Sequence, residues 1–323
     1  MKKKTILPND FLPSRQEKLF LYDKLFNLFI KLHKNNLLPN KILITGQAGL
    51  GKSTFAYHFI NFILSQNEDH SYDLKNFQIN PLNKSFQFLN QHCHPNFFLI
   101  ENSSDKQAID IQQIRDMINY VNKTSFEKQI KFILVNNSEY LNLHSVNALL
   151  KIVEEPTPNT FFVFIHDSSI KLVETLKSRC IEFKISFTNN EKQKILNNLF
   201  VYNDLTFNHQ MFKEIESFYY TPGIVLRFAK LLNERFIDIK KINLKDIIFD
   251  MMNYNLKNKN NINLKLLQNT IELFFFKKLR KDTNKNKIFL NYSKVIKQLN
   301  IFRKYNIDMN NVFYEIKENI IHG

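Results

Sequence analysis

Lys41-Ile-Leu-Ile-Thr-Gly46-Gln-Ala-Gly-Leu-Gly51-Lys52-Ser53-Thr54 decides how the first half of the chain folds. Three of the five glycines in the 323 residues fall here, between positions 46 and 51, after a β-branched run and before a helical pattern. The spacing is G-x-x-x-x-G-K-[ST], a phosphate loop between strand and helix. Glycine lets the backbone wrap close to a phosphate, and the N-terminus of the following helix adds partial positive charge at the same place. Lys52 is the residue to reach the β- and γ-phosphates, and Ser53 the hydroxyl to ligate Mg²⁺. Gly46, Gly49, Gly51, Lys52, Ser53 and Thr54 are therefore the candidate residues for binding ATP or ADP, with or without Mg²⁺. The competing reading is a plain glycine turn with an incidental lysine.

Outward from this stretch, short apolar strands alternate with amphipathic helices. Strands are predicted at 41–45, 97–101, 131–135, 161–165 and 181–185, and helices at 109–122 and 145–155, the second stopped by Pro156. That alternation gives a parallel five-stranded α/β sheet, with ligand beyond the carboxyl ends of the strands. After about residue 187 the strand signal fades. Helical spacing follows at 191–202, at Gln210 to Tyr219 and, after the turn Thr221-Pro222-Gly223, at 224–233. From about Lys240 the pattern stays helical but richer in asparagine and lysine, with a polar connector at 257–261. Three domains are expected: an α/β nucleotide-binding domain at 1–186, a small helical domain at 187–239 and an all-helical domain at 240–323.

The formal net charge of +15 has two readings, an affinity for polyanions such as nucleic acid or surface lysine raised by coding bias. A free-standing basic nucleic-acid binder rests on that charge alone, because no recognised binding motif accompanies the lysines. Two cysteines, Cys93 and Cys180, cannot build a disulfide framework. No secretory leader follows Met1, and no apolar run is long enough to span a membrane, so a cytoplasmic protein is expected.

A phosphate loop that hydrolyses needs a second strand ending in carboxylates, an aspartate to hold Mg²⁺ and a glutamate to activate water. The strand at 131–135 ends instead in Asn136-Asn137. Asparagine accepts a hydrogen bond but carries no charge and is no base near pH 7. Glu139 is a possible substitute lying past the strand end. Arg179, in the turn Ser178-Arg179-Cys180, offers a permanently charged planar fork to a γ-phosphate, or else caps the helix before it.

Asn147-Ala-Leu-Leu-Lys151, Glu154-Glu155-Pro156, Thr160 to Ile165 and Ser178-Arg179-Cys180 follow one another in a succession that resembles the clamp-loader branch of the AAA+ ATPases. Within that branch the chain is similar to the delta prime type of bacterial DNA polymerase III subunit, also at His94-Pro95-Asn96, Ile114-Arg115 and Thr221-Pro222-Gly223. The resemblance implies a subunit of a hetero-pentamer with gamma/tau and delta subunits that places a sliding clamp on primed DNA. It implies that the small helical domain is a lid, that the C-terminal helices form a collar, and that Arg179 acts in trans on a neighbour's nucleotide. Motor subunits of the branch carry Asp-Glu where this chain has Asn136-Asn137, and an arginine where it has Leu226, with Arg227 one residue late. Both departures fall on the chain's own catalytic machinery, which favours a nucleotide-holding stator over an active gamma/tau-like ATPase. Related chains often carry a four-cysteine zinc module, of which only Cys93 remains; His92, Cys93 and His94 are too closely spaced to share one ion, so no zinc is expected.

Overall fold

The structure, a computed structural model, describes residues 12–102, 108–122, 130–205, 221–234, 244–257, 264–305 and 308–321. The predicted helix at Gln210 to Tyr219, and residues 258–261 of the predicted connector, lie outside them. The chain divides into two compact units. One takes in residues up to 102, 108–199 and Thr221–Gly223; the other holds 103–107, 200–220 and the chain from Ile224 onward.

The five expected strands are present: β1 (Lys41–Gly46), β2 (Phe97–Ile100), β3 (Lys131–Val135), β4 (Thr160–Asp167) and β5 (Ile181–Lys184). They pair in the spatial order β2-β3-β4-β1-β5, every pair parallel. Strands covered on both faces read as continuous apolar runs, and β3 is buried along its whole length. Alternate residues feed two separate cores. Ile42, Ile44, Phe132, Leu134, Val163 and Ile165 face one layer. Leu43, Ile133, Val135, Phe162 and Phe164 face the other.

The first layer is made by α1 (Asp23–Lys34), α2 (Lys52–Leu64) and the short α3 (Lys84–Asn90). The chain lacks tryptophan and has 32 phenylalanines, and these rings do the packing. Phe26 on α1 is fully buried and meets Phe55, Phe59, Phe62, Tyr72 and Phe77, mostly edge to face. The second layer is made by α4 (Ile111–Asn122) and α5 (Leu143–Glu154). Asn142 caps α5 by accepting from the Ser145 N–H at 2.8 Å, and the helix ends just before Glu155 and Pro156. The one-turn α6 (Glu174–Lys177) precedes β5, and α7 (Asn189–Tyr202) follows it.

The second unit holds the end of α7 and five further helices among its described residues: α8 (Pro222–Glu234, beyond its first turn), α9 (Leu244–Lys257), α10 (Leu264–Lys281), α11 (Lys285–Tyr305) and α12 (Met309–Ile321). Sequential neighbours from α9 to α12 pack on one another, and α9 also meets α12. Buried Leu267, Ile271 and Phe275 recur every fourth residue on α10, and Val312, Phe313, Ile316 and Ile320 form the matching stripe on α12. No helix among the described residues is long and apolar enough to cross a membrane.

His58 on α2 is wholly buried and both ring nitrogens are engaged: Nε2 donates to the Gln16 carbonyl at 3.0 Å, so Nδ1 accepts from the Tyr72 hydroxyl at 2.9 Å. Burial pushes its pKa from 6.5 down to about 3, the Gln16 carbonyl opposing the shift. Below pH 6.5 the unfolded chain takes a proton at this position and the folded chain does not, so stability falls toward pH 3. The expected slope from this residue approaches about 1.4 kcal/mol per pH unit. Urea titrations of wild type and His58→Gln between pH 7 and 4.5 should differ by that slope; parallel curves would show that the ring titrates normally.

Candidate functional site

The loop from Gly46 to Gly51 leaves β1 at its carboxyl end and enters α2. Gly49 and Gly51 both have left-handed φ, 82° and 89°, which side chains rarely adopt. Gly46 answers to crowding instead: a Cβ there would lie 2.5 Å from the Ile185 carbonyl oxygen. Helix α2 starts without a side-chain cap at Gly51.

Five consecutive loop carbonyls each accept a hydrogen bond. Lys52, buried, donates through Nζ to Gly46 O at 2.5 Å and Gln47 O at 2.7 Å. Ser168 N–H also reaches Gly46 O, at 3.1 Å. Thr221 Oγ1 donates to Ala48 O at 2.6 Å, Gly223 N–H to Gly49 O at 2.8 Å, and Tyr22 Oη to Leu50 O at 3.0 Å. Held carbonyls aim the peptide N–H groups of the loop the other way, the arrangement that makes an anion-binding concavity. The uncapped helix start, two left-handed glycines, a lysine and a hydroxyl all fit a nucleotide's phosphates.

Ser53 Oγ donates to Asn136 Oδ1 at 2.7 Å, so the end of β3 does stand beside the loop's hydroxyl. It brings an amide there and no carboxylate. Asn137 has φ 56° and starts the turn after β3, a left-handed position that suits asparagine on backbone grounds. Glu139 turns toward β4, its Oε2 accepting from the Asp167 N–H at 3.1 Å. Thr54 is half-buried on the first turn of α2. Leu226 is buried on α8 and Arg227 follows it there, both in the second unit.

Arg179 lies after α6. Its Nε and Nη2 meet Glu154 Oε1 at 2.8 and 2.7 Å, and Nη1 donates to the Thr175 carbonyl at 2.9 Å. The guanidinium thus serves the helix carbonyl, as one reading of the sequence has it, while its side chain stays 37% exposed. Burial pushes the neighbouring Cys180 thiol up to about 12, with Lys41 opposing, which disfavours its thiolate. Near the predicted zinc remnant, Cys93 Sγ lies 3.7 Å from Phe88 O, and His94 Nδ1 accepts from the Asn96 N–H at 3.1 Å. Among the described residues no three His, Cys, Asp or Glu side chains are grouped to hold a metal ion.

Sequence reasoning missed Tyr22, Glu101 and Asp167. Tyr22 stacks on Phe55 and meets Phe187 edge-on, with its ring 3.7 Å from where a Gly51 side chain would begin. Asp167 is buried opposite Gly46 in the β1–β4 register, with Oδ1 accepting from Ser169 Oγ at 2.8 Å. Glu101 sits just past β2 and accepts from Asn136 Nδ2 at 3.4 Å. The available signal for the two carboxylates is that each ends a strand at the carboxyl edge.

The family model described as DNA polymerase III, delta subunit, matches residues 22–189, just over half of the chain. The DNA polymerase III subunit delta' of Pseudomonas aeruginosa is 31% identical over 140 residues, 43% of this chain and 41% of that protein. The subunit delta' of Haemophilus influenzae is 35% identical over 107 residues, 33% of this chain and 32% of that protein. The DNA polymerase III subunit gamma of Buchnera aphidicola subsp. Schizaphis graminum is 31% identical over 81 residues, 25% of this chain and 22% of that protein. The matched segments span less than half the length of these relatives.

Tyr22→Phe removes the hydroxyl that holds Leu50 O and leaves a buried carbonyl without its donor. A loss of roughly 1–3 kcal/mol in unfolding free energy is expected by urea titration. An unchanged midpoint would show that the loop does not depend on this bond.

Proposed function

The chain belongs to the DNA polymerase III delta subunit family, and from that premise we propose that it is a delta'-like AAA+ clamp-loader subunit that holds nucleotide without turning it over efficiently. Membership of the AAA+ ATPases implies nucleotide binding in general. The observation that supports the finer reading is the pairing of held loop carbonyls at Gly46 to Leu50 with Asn136 at the Ser53 hydroxyl. ATP or ADP would place its phosphates on the N–H groups of the loop and of α2. Lys52 would leave Gly46 O and Gln47 O to meet them, and Ser53 would face the accompanying Mg²⁺. A bound Mg²⁺ would supply neutralisation of phosphate charge. An amide at Asn136 keeps the hydrogen bond to Ser53 but offers no negative charge and no base.

Arg179 is the group proposed to act on another subunit's nucleotide. Its support is the exposed, permanently charged fork beside Glu154 and the Ser-Arg-Cys setting at 178–180. The proposed partners are gamma/tau and delta subunits, a sliding clamp and primed DNA. The proposed organisation is an α/β domain to residue 186, a lid at 187–239 and a collar at 240–323. The alternative, an active gamma/tau-like ATPase, has in its favour the shorter match to a gamma subunit.

Two measurements separate these readings. The purified chain with primed DNA should bind a fluorescent adenine nucleotide, lose that binding at least tenfold in Lys52→Ala, and show negligible ATP turnover; motor-like turnover that collapses in Lys52→Ala would establish the alternative. In a reconstituted loader, Arg179→Ala should lower total ATPase by about 10³-fold, the scale of a lost arginine finger. A near-normal rate would remove the trans role.

A further inference from the structure

We propose that Glu101, at the carboxyl end of β2, supplies toward a nucleotide-borne divalent cation the negative charge that Asn136 lacks, acting through the Asn136 amide as a positioning residue. The inference rests on the nucleotide reading above. Three side chains from three elements form a chain: Ser53 Oγ donates to Asn136 Oδ1 at 2.7 Å, and Asn136 Nδ2 donates to Glu101 Oε2 at 3.4 Å.

A carboxamide has one accepting end and one donating end. With the amide reversed, its oxygen would face the Glu101 carboxylate, acceptor against acceptor. Glu101 therefore selects the orientation in which Oδ1 faces Ser53, so that the amide presents the lone pairs an aspartate would present. Glu101 is also the carboxylate behind that amide, and its negative charge opposes ionisation of Tyr57, one turn after Ser53 on α2, second to the effect of burial. That places its charge on the Ser53 face of the helix.

The geometry is braced by the backbone. Gln113 on α4 accepts from the Glu101 N–H at 3.1 Å and donates to its carbonyl at 3.0 Å. Asn136 N–H donates to Ile100 O at 2.8 Å, tying the ends of β2 and β3 together. Glu101 is exposed, where a charge keeps its hydration. Glu139, the carboxylate closest in sequence to Asn136, is turned to β4 instead.

The test is binding of fluorescent ADP and ATP to the full chain, with excess Mg²⁺ and with EDTA. In wild type, Mg²⁺ should tighten binding. Glu101→Gln, which preserves shape, should lose about five- to tenfold of that gain, and its affinity in EDTA should not fall, because the lost carboxylate no longer repels the phosphates. The double variant Glu101→Gln/Asn136→Asp, which moves the carboxylate to the neighbouring strand end, should recover the gain. An unchanged gain in Glu101→Gln overturns the inference, as does equal weakening with and without Mg²⁺, which marks a structural role. Wild-type binding that ignores Mg²⁺ overturns it and leaves the nucleotide pocket standing. No binding in either condition overturns the pocket as well.

Discussion

Five loop carbonyls in a row, Gly46 to Leu50, are held by Lys52 just beyond the loop and by donors from three distant parts of the chain. Backbone carbonyls in a buried setting must be paired, and here the pairing also decides which way the peptides face. Once the oxygens are turned out to Tyr22, Lys52, Ser168, Thr221 and Gly223, the N–H groups have one direction left. The same constraint explains two glycines. Gly51 needs its left-handed backbone, and a side chain on Gly223 would start 2.8 Å from Gly49 O. An α/β sheet supplies the loop's position, but these donors supply its shape.

Around that loop, charge is distributed unevenly. Asn136 takes the Ser53 hydroxyl without bringing a carboxylate, Asn137 meets a left-handed backbone, and Glu139 is spent on the end of β4. Binding phosphate needs oriented N–H groups and one cation, all of which a backbone and a lysine provide. Cutting phosphate needs a base in reach of water, and β3 ends without one. Glu101 changes the first balance and not the second, because it stands behind an amide and acts through it.

Much of the fold was legible because burial on two faces leaves a plain mark. Phe-Ile-Leu-Val at 132–135 and Phe-Phe-Val-Phe-Ile at 161–165 read as covered strands by their shortness and their β-branched and aromatic residues, and Pro156 punctuates the helix between them. Strand order was not legible. β1 lies between β4 and β5, although β2 and β3 follow it in the chain, because parallel pairing is settled by which crossovers the two layers accommodate. Arg179 was visible as a charged fork in a turn; its partner Glu154 was visible only as part of a motif.

By itself the sequence determined the phosphate-loop spacing, the strand and helix alternation, and the absence of carboxylates at 136 and 137, since these depend on residue type and local period alone. Tertiary structure alone decided that Tyr22, Thr221 and Gly223 would hold one loop, and that Glu101 would stand behind Asn136. The physical reason is range. A period or a spacing is written in neighbouring residues, whereas a hydrogen bond between residues 22 and 50, or 48 and 221, exists only after the sheet and its layers have brought the two ends together.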